Sequence, residues 1–396
     1  MTVLSLKEAQ KTIIRQLSIL KEEEVLLGAA AGRIAASAIT AGSDVPAFSR
    51  SAMDGYAVNS LDLDTETSTG SFAVAGEIAA GTTDIPRLPR KSVIKIMTGG
   101  AIPHGADQII PFELCRAKND QVLIDSLPRP GAFIRARGVD LKKEQTIVRA
   151  GHTIEAQHLP LLAESGLAKM PVVARPRVAI ICTGSELLSP LATPEKGQII
   201  SGNRFLLDAL CKISGAIPLD LGLVRDNLDS IVARLAEALD GPADAVLTTG
   251  GMGPGKYDLL PQAFARLGIK PCYQALSVRP GRSTMFGMHR QKPVFALPGP
   301  PPAVFLLFNE LVRPGLRKLQ GFATPLPPLQ KAVLTETISL NKRGMLNLKG
   351  GVTSQSGTTL TIRPAKNLEP ASAIIHIPAN RSVLPQGATI TFRPLL

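Results

Sequence analysis

The spacing of apolar positions changes several times along the chain, and each change marks a different kind of structure. Ala9, Ile13, Ile14, Leu17 and Leu20 recur at helical spacing through residues 5–24, and Ser5 with Glu8 makes a capping box. The chain is therefore expected to open on an amphipathic helix. A second, shorter helical run covers 27–39 and stops before the loop Ala41-Gly42-Ser43-Asp44-Val45-Pro46. From Ser51 to about Asp140 the pattern shortens to β-like runs such as Ser71-Phe72-Ala73-Val74-Ala75-Gly76-Glu77 and Ser92-Val93-Ile94-Lys95-Ile96-Met97, broken by Gly and Pro. Residues 155–165 return to a helical texture. The simplest organisation is a discontinuous helical and extended domain, 1–44 with 141–176, into which a mainly β domain, 45–140, is inserted.

Beyond Arg177 apolar strands alternate with amphipathic helices. Val178-Ala179-Ile180-Ile181-Cys182 is a continuous apolar run suited to a buried parallel strand. Further strands are expected at 218–223, 245–249 and 293–297, with helices at 204–213, 228–239, 259–267 and 303–319. This pattern predicts a doubly wound α/β domain over 177–322, whose ligands lie at the carboxyl ends of its strands. Pro325-Leu326-Pro327-Pro328 marks a boundary, and alternation from Ala332 onward predicts a small, all-β, barrel-like domain over 323–396.

Composition narrows the class. At 396 residues, 44% of them hydrophobic and 19% charged, the chain has core material for several domains. No apolar run approaches the roughly 20 residues that cross a bilayer, and the first residues lack a signal-peptide layout, so a cytoplasmic protein off the membrane is expected. The four cysteines, Cys115, Cys182, Cys211 and Cys272, form no CxxC pair and read as reduced residues. The formal net charge of +12 is spread along the chain without a basic block, and there is no Trp. That argues against nucleic acid and for an anionic small-molecule ligand.

The candidate chemistry lies in three loops of the α/β domain. They are Thr183-Gly184-Ser185-Glu186, the glycine loop that opens on Thr249-Gly250-Gly251 and ends at Asp258, and Leu297-Pro298-Gly299-Pro300-Pro301. Glycines after a strand let backbone N–H groups turn toward an anion, so Thr183, Gly184, Ser185, Gly250, Gly251, Pro298 and Gly299 are candidate phosphate-binding positions. Glu186, Asp226 and Asp258 stand beside these loops and would repel a phosphate without a cation between them. Mg²⁺ meets that need, whereas each acid taken singly is equally what a helix N-terminus attracts. Arg279 and Arg282 are candidates for bidentate phosphate binding. In the β domain Asp54, Thr98-Gly99-Gly100 and Arg135-Ala136-Arg137-Gly138-Val139-Asp140 are the comparable features. Asp54 sits in Pro46-Ala47-Phe48-Ser49-Arg50-Ser51-Ala52-Met53-Asp54-Gly55-Tyr56-Ala57-Val58, which on its own reads first as a strand-entry turn and only second as a presented acid. No Ser-His-Asp or Cys-His arrangement is present, so positioning with metal-assisted electrostatics is favoured over nucleophilic catalysis.

Ser51-Ala52-Met53-Asp54-Gly55-Tyr56-Ala57-Val58, Ile96-Met97-Thr98-Gly99, Gly105-Ala106-Asp107, Arg137-Gly138-Val139-Asp140, Arg175-Pro176-Arg177-Val178-Ala179, Thr183-Gly184-Ser185-Glu186-Leu187 and Thr249-Gly250-Gly251 follow one another as in a known family. The chain resembles molybdopterin molybdotransferase, the MoeA family that includes the E domain of gephyrin. The resemblance runs from about residue 5 to 322. It implies a homodimer, with 1–44 and 141–176 as its dimerisation domain and 177–322 as its molybdopterin-binding domain. It implies an active site between the α/β domain of one subunit and the inserted β domain of the other. The implied reaction combines adenylylated molybdopterin with molybdate, using Mg²⁺, to give molybdenum cofactor and AMP.

Matched by position, Asp54, Thr98, Asp140, Glu186, Asp226 and Asp258 are then catalytic. Ser51, Arg279 and Arg282 join the substrate-binding set, and Glu186, Asp226 and Asp258 are the metal ligands. Implied protein partners are a molybdopterin adenylyltransferase and molybdoenzymes. The chain departs from the family pattern at Ser49, Ser201 and Pro300, where Asp, Asp and Asn are usual, and at Val139, where Glu is usual. It also lacks the family's serine- and glycine-rich segment near Asn367. These departures keep two alternatives in view, a divergent paralogue acting on a related pterin or nucleotide pyrophosphate and a cofactor carrier or scaffold.

Overall fold

The computed structural model describes residues 3–63, 70–253, 255, 258–340, 344–366 and 369–395. Pro254, Lys256 and Tyr257 of the second glycine loop, and Asn367, lie outside the described residues. The chain divides into two compact units, one of residues 24–171 and one of 1–23 with 172–396.

The unit of 24–171 is built on a six-stranded sheet in the order Gln108–Pro111, Gly55–Val58, Ser92–Ile96, Gly70–Ile78, Gln121–Ile124, Cys115–Lys118. Period-2 alternation gives the sheet two buried faces. Tyr56 and Val58 pack with Phe72, Val93 and Val122, while Ala57 packs with Ile78, Ile94 and Ile96 on the opposite side. The helix expected over 27–39 does not form. Only Leu27–Ala29 makes a 3₁₀ turn, and Ile39–Thr40 is a strand against Thr146–Val148. Residues 32–35 instead exchange backbone hydrogen bonds with 151–154, such as Ala35 N–H to His152 O at 3.0 Å and Ile154 N–H to Arg33 O at 2.8 Å. Long-range pairing here outweighs a weak local preference already lowered by Gly28 and Gly32. The helical run expected at 155–165 is present as a 3₁₀ turn, Ala156–His158, and the helix Leu159–Glu164.

The second unit holds a doubly wound α/β sheet and a β-barrel. The sheet order is Ile217–Val224, Arg177–Thr183, Ala245–Thr249, Lys292–Leu297, Met285–His289, Lys270–Tyr273. The first four strands are parallel, and the last two add an antiparallel edge that the apolar pattern did not reveal. Along Arg177–Thr183, Val178, Ile180 and Cys182 face one core and Ala179 and Ile181 the other. The helices Leu228–Asp240 and Leu260–Arg266 cover the second core, and Asn203–Ile213 the first.

The N-terminal helix, Leu6–Gln16, has its expected capping box. Its Leu6, Ala9 and Ile13 pack into the first α/β core with Phe308 and Leu316, so residues 1–23 group with the α/β unit and not with 141–176. The helical stretch expected at 303–319 is continuous but carries a π turn, Phe308–Val312, between Pro301–Leu307 and Arg313–Leu319.

Residues 330–394 close on themselves. Gln330–Leu334 pairs with Thr359–Pro364 and Thr389–Pro394, and Leu346–Ser356 pairs with Thr359–Pro364 and Ala373–Ile377. Ala373–Ile377 with Thr389–Pro394 completes a five-stranded barrel around Leu334, Ile362, Ile375 and Phe392. Closure removes the open edges a small sheet would otherwise expose. No described helix is long and apolar enough to cross a membrane.

Candidate active site

Parallel strands ending at Thr183, Thr249 and Leu297 deliver their loops to one edge of the sheet, where a cleft of about 620 Å³ opens. Thr183, Gly184, Glu186, Asp226, Gly250, Gly251, Asp258, Pro298 and Gly299 line it together. Gly250 is required there: its φ is +94°, and a Cβ would stand 2.2 Å from the Thr183 carbonyl oxygen. The backbone of the second loop therefore lies directly against the first.

The loops are tied by residues that sequence reasoning missed. Asn203, at the start of helix Asn203–Ile213, donates through Nδ2 to Gly299 O at 2.7 Å and to Thr249 Oγ1 at 3.2 Å. Thr249 Oγ1 in turn donates to Pro298 O at 2.8 Å. Asn203, Ser201, Ile199, Ile200 and Pro300 also line the cleft, so two departures from the family pattern, Ser201 and Pro300, lie in its wall. The only sequence signal for Asn203 was its position at a helix start.

The three candidate metal ligands share the cleft but do not converge. Asp226 Oδ2 accepts the Ser185 N–H at 2.8 Å, and Ser185 Oγ accepts the Asp226 N–H at 3.0 Å. Asp258 Oδ2 accepts the Gly255 N–H at 2.7 Å. Among the described residues no three His, Cys, Asp or Glu side chains are grouped as a metal cage. Such a donor set suits Mg²⁺ held by one or two carboxylates plus ligand phosphate oxygens, not an all-protein site. Ser185 is not among the lining residues; it braces Asp226. Arg279 and Arg282 are exposed and do not line the cleft either. Arg279 lies on the short strand Val278–Arg279, paired with Leu346–Asn347 of the barrel, and Ser283 after Arg282 does reach the cleft wall.

The remaining candidates lie in the unit of 24–171. Asp54 Oδ1 accepts the Thr98 N–H at 2.6 Å and the Thr98 hydroxyl at 2.8 Å. These two donors, the backbone N–H first, hold the Asp54 carboxyl below the usual aspartate value. Gly55 lets this turn pass close to its neighbour, since a Cβ there would be 2.2 Å from Ile110 O. Ser51 is buried, its backbone bonded to Gly99 and Gly100 and its hydroxyl donated to Met53 O at 2.6 Å. It shapes the turn that carries Asp54. Asp140 pairs with Arg135, whose Nε lies 3.2 Å from Oδ2, and Ser49 Oγ accepts the Arg137 N–H at 3.1 Å.

These features define a class before any particular family. A profile for the MoeA N-terminal region (domain I and II) matches residues 4–166, and one for a probable molybdopterin binding domain matches 179–318. A molybdopterin molybdenumtransferase of Nostoc sp. is 32% identical over 382 residues, 93% of this chain and 87% of the relative. Molybdopterin molybdenumtransferase 2 of Mycobacterium tuberculosis is 31% identical, covering 94% of this chain and 95% of the relative. A crystal structure of the molybdopterin biosynthesis MoeA protein of Pyrococcus horikoshii matches with a TM-score of 0.85 at 27% identity, over 99% of each chain. The chain belongs to the molybdopterin molybdenumtransferase family.

Proposed function

We propose that this protein is a molybdopterin molybdenumtransferase that combines adenylylated molybdopterin with molybdate and releases AMP in molybdenum cofactor synthesis. The observation that carries the reading is one cleft lined by three post-strand loops, two of them bearing acids, with Asp226 beside them. Backbone N–H groups and small residues suit a phosphate-bearing ligand, and the relatives named above are transferases of this kind. Mg²⁺, when bound, offsets phosphate charge; Glu186, Asp226 and Asp258 are the residues that would hold it. Gly250 and Gly251 give the ligand close approach, and Asn203 keeps the loops in register.

Asp54, kept ionised by Thr98, is assigned to accept a hydrogen bond or proton from the substrate. Asp140 is assigned to keep Arg135 oriented. The family resemblance supports a homodimer in which these residues serve the partner subunit's cleft, a cytoplasmic location, and exchange of substrate and product with a molybdopterin adenylyltransferase and molybdoenzymes. Ser201 and Pro300 in the cleft wall favour a second reading, a paralogue that accepts a related pterin or nucleotide pyrophosphate. The test is to incubate purified protein with adenylylated molybdopterin and Mg²⁺, with and without molybdate. Molybdate-dependent AMP release is expected; ligand binding without it leaves a carrier.

A further inference from the structure

Arg50, in the unit of 24–171, is a half-buried cation in a stretch where positive charge outnumbers negative. The two-residue strands Arg50–Ser51 and Ile134–Arg135 form an antiparallel ribbon in which Arg50 lies directly opposite Arg135. Side chains of directly opposed residues project from the same face, and like charges so placed repel one another. The surrounding segments, 44–54 and 134–143, hold five cations, Arg50, Arg135, Arg137, Lys142 and Lys143, against three acids. Each acid is already engaged. Asp140 accepts from Arg135, Asp44 accepts from Arg137 Nε at 2.6 Å and from the Lys143 N–H at 2.8 Å, and Asp54 accepts from Thr98. The Arg50 guanidinium, half buried, has no hydrogen bond or ion pair among the described residues. Its neighbour Ser49 supplies a hydroxyl that is turned to the Arg137 N–H.

We infer that the Arg50–Arg135 pair is a binding site for a tetrahedral oxyanion. An anion between the two guanidinium groups removes their repulsion and takes up the planar N–H pairs that Asp140 leaves free. Asp140 orients Arg135 while cancelling only part of the local charge. Neither arginine is among the residues that line the glycine-loop cleft. Its physiological occupant is either a free dianion, molybdate, or the phosphate of a nucleotide-bearing ligand. The choice of molybdate rests on the proposed function; the site itself does not.

Isothermal titration of the intact protein with molybdate alone and with AMP alone tests it, using Arg50→Ala and Arg50→Lys. A free-dianion site predicts that Arg50→Ala weakens molybdate at least tenfold, that Arg50→Lys keeps part of the affinity, and that AMP binding is unchanged. A nucleotide-phosphate site predicts the same loss for AMP instead. Unchanged affinity for both ligands in Arg50→Ala, with the wild-type thermal midpoint, overturns the inference. Because these readouts need no turnover, an inactive wild-type protein that still binds molybdate through Arg50 would count against the proposed function alone.

Discussion

The Asp54 carboxylate accepts two hydrogen bonds from one residue, Thr98, and the two can be separated. Thr98→Val removes the hydroxyl donor and leaves the backbone N–H. In the wild type the carboxyl is held below its ordinary value, so it stays ionised as pH falls through the range where a free aspartate takes up a proton. Carboxyl ¹³C NMR is expected to show the Asp54 midpoint rising toward the ordinary value in Thr98→Val; an unmoved midpoint contradicts the assignment. Gly55→Ala forces a methyl against Ile110 O, and overpacking of this kind costs about 1–3 kcal/mol, read as a lower thermal midpoint. The need for glycine beside Asp54 was legible in the sequence, because one acid followed by glycine at a strand start leaves few backbone paths. The Thr98 contact was not, since nothing in the order of residues brings positions 54 and 98 together. Asn203 showed only its place at a helix start, and its contacts with Thr249 and Gly299 were hidden for the same reason.

At the scale of elements, long apolar runs announced themselves and short or polar ones did not. The strand Arg177–Thr183 is apolar from Val178 to Cys182 because that stretch is buried on both faces, whereas Lys270–Tyr273 is a short edge strand with a lysine and a proline. Residues 27–39 show the converse, where apolar spacing suggested a helix and long-range pairing prevailed. The π turn Phe308–Val312 holds a further element invisible in the pattern. Glu310 is fully buried and accepts from Gln10 Nε2 at 2.8 Å and Arg393 Nε at 2.9 Å, with His376 Nε2 at 2.8 Å. It thereby joins the N-terminal helix, the α/β domain and the barrel. Burial pushes its carboxyl up, but His376 and Arg393 outweigh that and leave it lowered. Its stabilising contribution is therefore present above the ordinary glutamate value and lost as pH falls through the lower folded value. Arg393→Ala takes the arginine partner from that buried carboxylate, leaving it to Gln10 and His376, and is expected to cost about 3–5 kcal/mol in denaturant unfolding. Glu310→Gln should flatten the acid side of the stability curve, and an unchanged acid limb would refute the role.

For the whole molecule, the doubly wound sheet and the barrel were legible because alternation and turn signals are local. How the Asp54 turn and the glycine-loop cleft cooperate rests on the proposed dimer. Glu186→Ala and Asp258→Ala should each abolish turnover while circular dichroism and thermal midpoint stay near wild type; full activity in both would contradict the cleft's role. Mixing refolded Asp54→Asn and Asp258→Ala subunits, each inactive alone, should restore about a quarter of wild-type activity if each site draws on both copies of a two-fold dimer. No recovery would place both residues in one subunit's site. The most direct measurement is a single-turnover reaction of enzyme with adenylylated molybdopterin, Mg²⁺ and molybdate, quantifying AMP released and molybdenum incorporated. The account predicts that both rise together, one for one, only when molybdate is present. AMP released at the same rate without molybdate, or molybdenum incorporated without AMP, would contradict it.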